Sequence, residues 1–170
     1  MVPDKDDWVE VVSASIDVTL AHDYLARDSA HTGATVVFLG RVREFTYPHN
    51  TGYSKQSPLV QRDGQWVVHT PELIYECYPE MATRAMTELL AAARSRWPLQ
   101  RLILQHRVGR LAAGEIAILI GVSSSHRGAA YAANEYLIEE VKQRVPVWKQ
   151  EIYTSGAAQW VHPIPTSTAR

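Results

Sequence analysis

The sequence predicts an α+β or α/β sandwich on a mixed, largely antiparallel sheet, and three observations carry that expectation. Short runs rich in β-branched and aromatic residues read as strands and alternate with three amphipathic helical segments. Turn signals between successive strands are close enough together for hairpins. Pro146 ends the last helical segment and sends the chain back as a strand.

Taken in order, Trp8–Ser13 (WVEVVS) reads as a first strand. Asp17 is placed to cap a helix to about Arg27, with Leu20 and Tyr24 on its buried side. His31-Thr32-Gly33 breaks the pattern, and ATVVFLGRV (34–42) reads as a buried strand. Residues 45–70 are irregular and polar, an insertion that reads as a mobile excursion or a ligand element. Inside it, Leu59–Arg62 and Gln65–His69 flank an Asp63-Gly64 turn and predict a small hairpin.

LIYEC (73–77) is the next strand. Pro79 opens a helix to about Trp97, with Ala82, Met86, Leu89, Leu90 and Ala93 as its apolar stripe. Arg101–Val108 and Ile116–Val122 read as strands joined at Ala112-Ala113-Gly114-Glu115. Ser123-Ser124-Ser125 reads as a cap for a helix from Arg127 to Arg144. Val145 precedes a proline and favours an extended backbone. Val147–Tyr153 is the return strand, with Gln159–His162 as one more candidate.

The 170 residues suit one domain, 1–170, without internal repeat or obvious linker. A 46% hydrophobic and 21% charged composition is that of a soluble protein. A formal net charge of −1 argues against broad binding to nucleic acid. No apolar run is long enough for a membrane span, and the N-terminus has no signal-peptide pattern. Cys77 is the only cysteine, which suits a reducing, cytoplasmic setting, and a buried inert thiol is the expected state. The histidines show no paired metal-ligand spacing, and His106 in its strand reads as structural or functional alike.

Three clusters offer chemistry. At SSSHRG (123–128) a strand ends and a helix begins, so free N–H groups, His126 and Arg127 would suit an anion. Ordinary capping with a solvated Arg127 explains the same residues. At GRVRE (40–44), strand alternation sends Arg41 and Arg43 to one face, fit for phosphate or carboxylate. A solvated edge with Arg43 paired to Glu44 is the plainer reading. In EVKQRVPVWKQE (140–151) stand Lys142 and Lys149, two of only four lysines. Pro146 places them on different elements, from which both ammonium groups could flank one pocket and shift each other's proton affinity. Two solvated surface lysines are the alternative.

Helix length adds a constraint. Residues 127 and 142 lie roughly 22 Å apart along an α-helix. If one small anion uses both ends, a second copy of the chain must complete the site.

GATVVFLGRVRE (33–44), LIYECYPEMA (73–82), HRVGRLAAGEIAILIGVSSSHRGAAYAA (106–133) and VKQRVPVWKQE (141–151) together resemble the molybdopterin synthase large-subunit (MoaE) family. The resemblance implies an α/β hammerhead-type fold with three main helices and an added small antiparallel subdomain. It implies a sulfurtransferase of molybdenum cofactor biosynthesis that is a homodimer. Each copy would hold a small ubiquitin-like (MoaD-type) carrier whose Gly-Gly C-terminus bears a thiocarboxylate, giving a heterotetramer. Sulfur would pass twice to cyclic pyranopterin monophosphate to form the molybdopterin dithiolene. On the matching motifs, Lys142 and Lys149 would be catalytic, with Lys142 nearest the carrier tail. Arg43, His126 and Arg127 would bind the pterin and its phosphate, the His-Arg pair coming from the neighbouring protomer. No cofactor and no metal are implied.

Between Arg43 and Leu73 the chain is longer than the family's usual loop, which leaves 45–70 without an assigned contact. Two other classes use the same residues: a non-catalytic phosphate or nucleotide sensor, and a scaffold that docks the small protein without needing the lysines.

Overall fold

Alternation along two central strands separates the core into two faces. In the computed structural model, which describes residues 6–27, 29–46, 59–153 and 156–161, β7 (Leu99–Arg107) and β9 (Ile116–Ser124) run antiparallel at the centre of a sheet ordered β1-β7-β9-β2. β1 (Asp7–Val12) is parallel to β7, and β2 (Ala34–Arg41) is antiparallel to β9. With a side-chain period of two, Leu102, Leu104, Ile118, Ile120 and Val122 point one way and Ile103 and Leu119 the other.

The first face receives α2 (Pro79–Arg94) and α3 (Arg127–Arg144), which also pack on each other. Ala82, Met86, Leu89, Leu90 and Ala93 of α2 are buried there, as the periodicity predicts. From α3 come Ala130, Ala133, Leu137 and Val141. Asn134 is the polar exception, and its amide donates to the carbonyl of Ile120 at 3.0 Å.

The second face receives α1 (Val18–Leu25), whose N-cap is Asp17, its carboxylate accepting from the Leu20 N–H at 3.0 Å. Leu20 itself is 37% exposed, contrary to the expectation. The helix is short and turns Ala21, Tyr24 and Leu25 inward, a face offset from Leu20. Tyr24 meets Trp8 edge-on at 5.3 Å.

A second sheet, ordered β11-β10-β6-β8, is wholly antiparallel. It joins β6 (Glu72–Cys77), β8 (Gly109–Ala112), β10 (Val147–Ile152) and β11 (Ala158–Val161). The sequence reading joins the two central strands at Ala112-Ala113-Gly114-Glu115 and assigns no strand to 109–111. The chain instead leaves the first sheet at Gly109, whose φ of +90° needs no Cβ, and pairs with β6 before the β9 turn. Val42, Leu73, Leu111 and Ala117 fill the junction between these sheets.

The expected hairpin forms as β4 (Leu59–Arg62) and β5 (Gln65–His69), and β3 (Phe45–Thr46) adds a third strand in the order β3-β5-β4. Residues 47–58 of the irregular polar stretch, and His162 at the other end of the chain, lie outside the described residues. Three α-helices with mainly antiparallel strands, among the described residues, match the expected α+β class. Among the described residues, no helix is long and apolar enough to cross a membrane.

Candidate active site

The sequence-predicted residues fall into two groups at opposite ends of α3. At its N-terminal end, Gly33, Ser125, His126, Arg127 and Gly128 line a cleft of about 470 Å³. His126 occupies the N-cap position with an extended backbone, and no side chain caps the first turn. Of the three serines only Ser124 reaches the helix start, its Oγ accepting from the His126 N–H at 3.5 Å, while Ser123 and Ser125 accept from the Arg101 N–H and the Gln100 amide. Ser123 pairs with the backbone of Arg101, Ser124 donates to the carbonyl of Pro98 at 2.8 Å, and Ser125 donates to that of His31 at 3.0 Å. A helix N-terminus with backbone N–H groups, a guanidinium and an imidazole is suited to an oxyanion. Gly33 lets the two backbones pass closely beside the cleft, since a Cβ there would lie 2.3 Å from the Ser125 carbonyl oxygen.

At the other end, α3 stops where Val145 turns extended (ψ 122°) ahead of Pro146, and β10 begins at Val147. Lys142, in the last helical turn, is half exposed and pairs with Glu139 at 3.1 Å. Lys149, on β10, pairs with Glu151 at 3.4 Å. Each ammonium group thus has a carboxylate neighbour of its own.

Glu151 is the member of this cluster that sequence reasoning missed. It sits two residues after Lys149 on one strand, so both point to the same face. Its side chain is 3% exposed against 31% for Lys149. Burying a carboxylate is costly unless donors surround it. Besides Lys149, the hydroxyls of Thr70 and Tyr153 reach it, each at 3.4 Å.

Tyr75 lies directly across from Lys149 in the β6–β10 register. Burial raises its phenol to about 12, with the charge of Glu151 adding to that rise and the charge of Arg43 opposing it. The phenol therefore feels the Glu151 carboxylate and the Arg43 guanidinium together. On its other side, His106 meets the ring edge-on at 5.2 Å. His106 is buried, which lowers its proton affinity, and Nδ1 faces the Arg107 carbonyl at 2.9 Å.

Arg41 and Arg43 are both exposed on either side of the buried Val42, but only Arg41 is gripped by the neighbouring turn. The register slips between Gly40 and Arg41, and β2 ends there. Arg41 donates to the Gly114 carbonyl at 2.8 Å, while Val42 is buried and Arg43 is exposed. Glu44 is engaged by His69 at 3.2 Å. The turn that grips this strand end is itself braced: Val42 exchanges backbone bonds with Gly114 and Glu115, and Arg107 holds the Glu115 carboxylate at 2.8 Å. Cys77 is partly buried, being the last residue of β6, and burial pushes its thiol up. Among the described residues, no group of His, Cys, Asp and Glu is arranged to hold a metal ion.

An α+β sandwich with a cleft at one end of a long helix and a lysine-carboxylate pair at the other has the groups that suit one class, an enzyme subunit that handles an anionic small molecule. The family model described as MoaE protein matches residues 11–144, and the chain belongs to that family. It is 36% identical over 157 residues to the molybdopterin synthase catalytic subunit of Pasteurella multocida, covering 92% of this chain and 91% of that protein. It is 37% identical over 151 residues to the same-named protein of Staphylococcus epidermidis, covering 89% and 86%. The crystal structure of molybdopterin synthase from Staphylococcus aureus superposes with a TM-score of 0.71 at 33% identity, covering 89% of this chain and 94% of that one. The MoaE protein of Burkholderia ambifaria shares the fold at a TM-score of 0.71.

Proposed function

We propose that this chain is a catalytic subunit of molybdopterin synthase, a sulfurtransferase of molybdenum cofactor biosynthesis that acts in the cytoplasm. Membership of the MoaE family and relatives of that name over nine tenths of the chain support the reading. The whole of 1–170 acts as one catalytic-subunit domain carrying an inserted hairpin within 45–70.

The substrate is cyclic pyranopterin monophosphate. The sulfur donor is a small ubiquitin-like carrier ending in a Gly-Gly thiocarboxylate. In each of two transfers, carrier sulfur replaces an oxygen on the substrate and the carrier is left as a carboxylate. The reacting groups are anionic, and cations on both sides of them lower the cost of bringing them together.

Lys149 is the residue on which the reading turns. It is partly sheltered, fixed by a buried carboxylate, and faces a phenol that also feels Arg43. From there it delivers or holds a proton on the reacting substrate, while Lys142, at the helix end, attends the carrier tail. Arg43, His126 and Arg127 bind the pterin and its phosphate. His126 and Arg127 lie roughly 22 Å along α3 from Lys142. They therefore enter this pocket from a second copy, so the working assembly is a homodimer that holds two carriers.

The test is product formation from purified chain, precursor and thiocarboxylated carrier. Wild type should make molybdopterin, and Lys149→Ala should lose nearly all turnover while staying folded. Normal turnover by Lys149→Ala would sink the assignment.

A further inference from the structure

Thr70 connects two parts of the candidate site that are far apart in sequence. It directly follows β5 of the inserted hairpin and is only 2% exposed. Its backbone N–H donates to the Glu44 carbonyl at 2.8 Å, one residue after Arg43. Its hydroxyl donates to Glu151 Oε2 at 3.4 Å, and Glu151 Oε1 accepts from Lys149. One residue therefore touches both the segment that carries Arg43 and the carboxylate that orients Lys149.

The second hydroxyl on Glu151 is that of Tyr153, which lies 3.2 Å from Gln159 Oε1 as well. A phenol has one proton and cannot donate to both acceptors at once. Turning the Gln159 amide over lets its NH2 donate to the phenol while the phenol donates to Glu151. Glu151 is then held by two neutral donors on one oxygen and by the ammonium on the other.

We propose that Thr70 is a positioning residue for sulfur transfer, supported by Tyr153, and that it acts through Glu151 to hold Lys149 and the Arg43 segment in one frame. The hydroxyls fix the carboxylate rotamer, and the carboxylate in turn fixes the ammonium. The end of the insertion, at Thr70, is thereby part of the active-site scaffold. This proposal rests on the assignment of Lys149 made above.

The test uses full-length chain with thiocarboxylated carrier and precursor. Thr70→Val keeps the shape and removes the hydroxyl, Thr70→Ser keeps the hydroxyl, and Tyr153→Phe removes the second donor. Thr70→Val should lower kcat about threefold to tenfold with a smaller change in KM, and Thr70→Ser should restore it. Tyr153→Phe should lower kcat by about the same factor.

A readout independent of turnover is the Cε resonance of Lys149 in protein labelled on lysine, of which the chain has only four. That signal should move in Thr70→Val and Tyr153→Phe and return in Thr70→Ser. Wild-type kcat and an unmoved Lys149 signal in Thr70→Val would overturn the proposal. Should Thr70→Val fail to fold, the same result in Tyr153→Phe overturns it. If wild type itself makes no product, the functional assignment fails, and the Lys149 resonance still decides the positioning claim.

Discussion

Lys149 and Glu151 lie two residues apart on β10, their charged groups 3.4 Å apart, with the carboxylate buried and the ammonium reaching toward solvent. Removing either partner has unequal consequences. Lys149→Ala takes the ammonium away from a buried carboxylate and leaves the hydroxyls of Thr70 and Tyr153 in reach of it. Because Lys149 is itself partly exposed, the stability lost should be about 1 kcal/mol, not the larger cost of a fully buried pair. Glu151→Gln keeps the shape and frees the ammonium, and turnover should fall about tenfold or more. Urea unfolding beside steady-state kinetics separates the two effects.

The raised phenols predict alkaline behaviour. Tyr75 and Tyr24 are both pushed from 10.0 to about 12, first by burial. A folded value above the unfolded one favours the protonated form. The associated stability is fully present below 10 and is lost as pH rises from there through about 12. Spectrophotometric titration should show Tyr75 and Tyr24 ionising late, and Tyr75→Phe should remove one of these late transitions.

Glu115 carries the opposite sign. Hydrogen bonds from Arg107 and from the Ala112 N–H hold its carboxyl below the usual 4.5. Its contribution is present above that value and is lost as pH falls through the lowered one. Glu115→Gln should loosen the turn that grips Val42 and raise the KM for precursor about threefold through Arg43, with kcat less affected. An unchanged KM would show that the turn does not set the position of Arg43.

Core packing gives a contrast that a denaturation series checks. Leu104→Ala should cost about 2–5 kcal/mol, because its side chain is fully enclosed between the sheet and the α2–α3 layer. Leu20→Ala should cost less than about 0.5 kcal/mol, since Leu20 faces solvent.

Much of this fold was legible because the periodic signals were long. The α2 stripe from Ala82 to Ala93 and the limits of α3 follow from spacing and from Pro146. What local pattern did not reveal was decided by tertiary geometry. Gly109 diverts the chain into β8, which no run of apolar residues announced. The three serines looked like caps, but Ser123 and Ser125 accept from Arg101 and Gln100 of a neighbouring strand, and only Ser124 reaches the helix start, at His126. In the candidate site, Lys149 was legible through its motif, and Glu151 could have been found from strand alternation with that lysine. Thr70 gave no signal, for its role depends on a contact 81 residues away.

The central claim is a site split between two copies, with Lys149 from one and His126 from the other. Lys149→Ala and His126→Ala should each be inactive alone. Mixed in equal amounts under conditions that exchange protomers, half the dimers would be mixed, and each would carry one intact site and one doubly altered site. The account predicts recovery of about a quarter of wild-type molybdopterin formation. Exchanged dimers that remain inactive would contradict it.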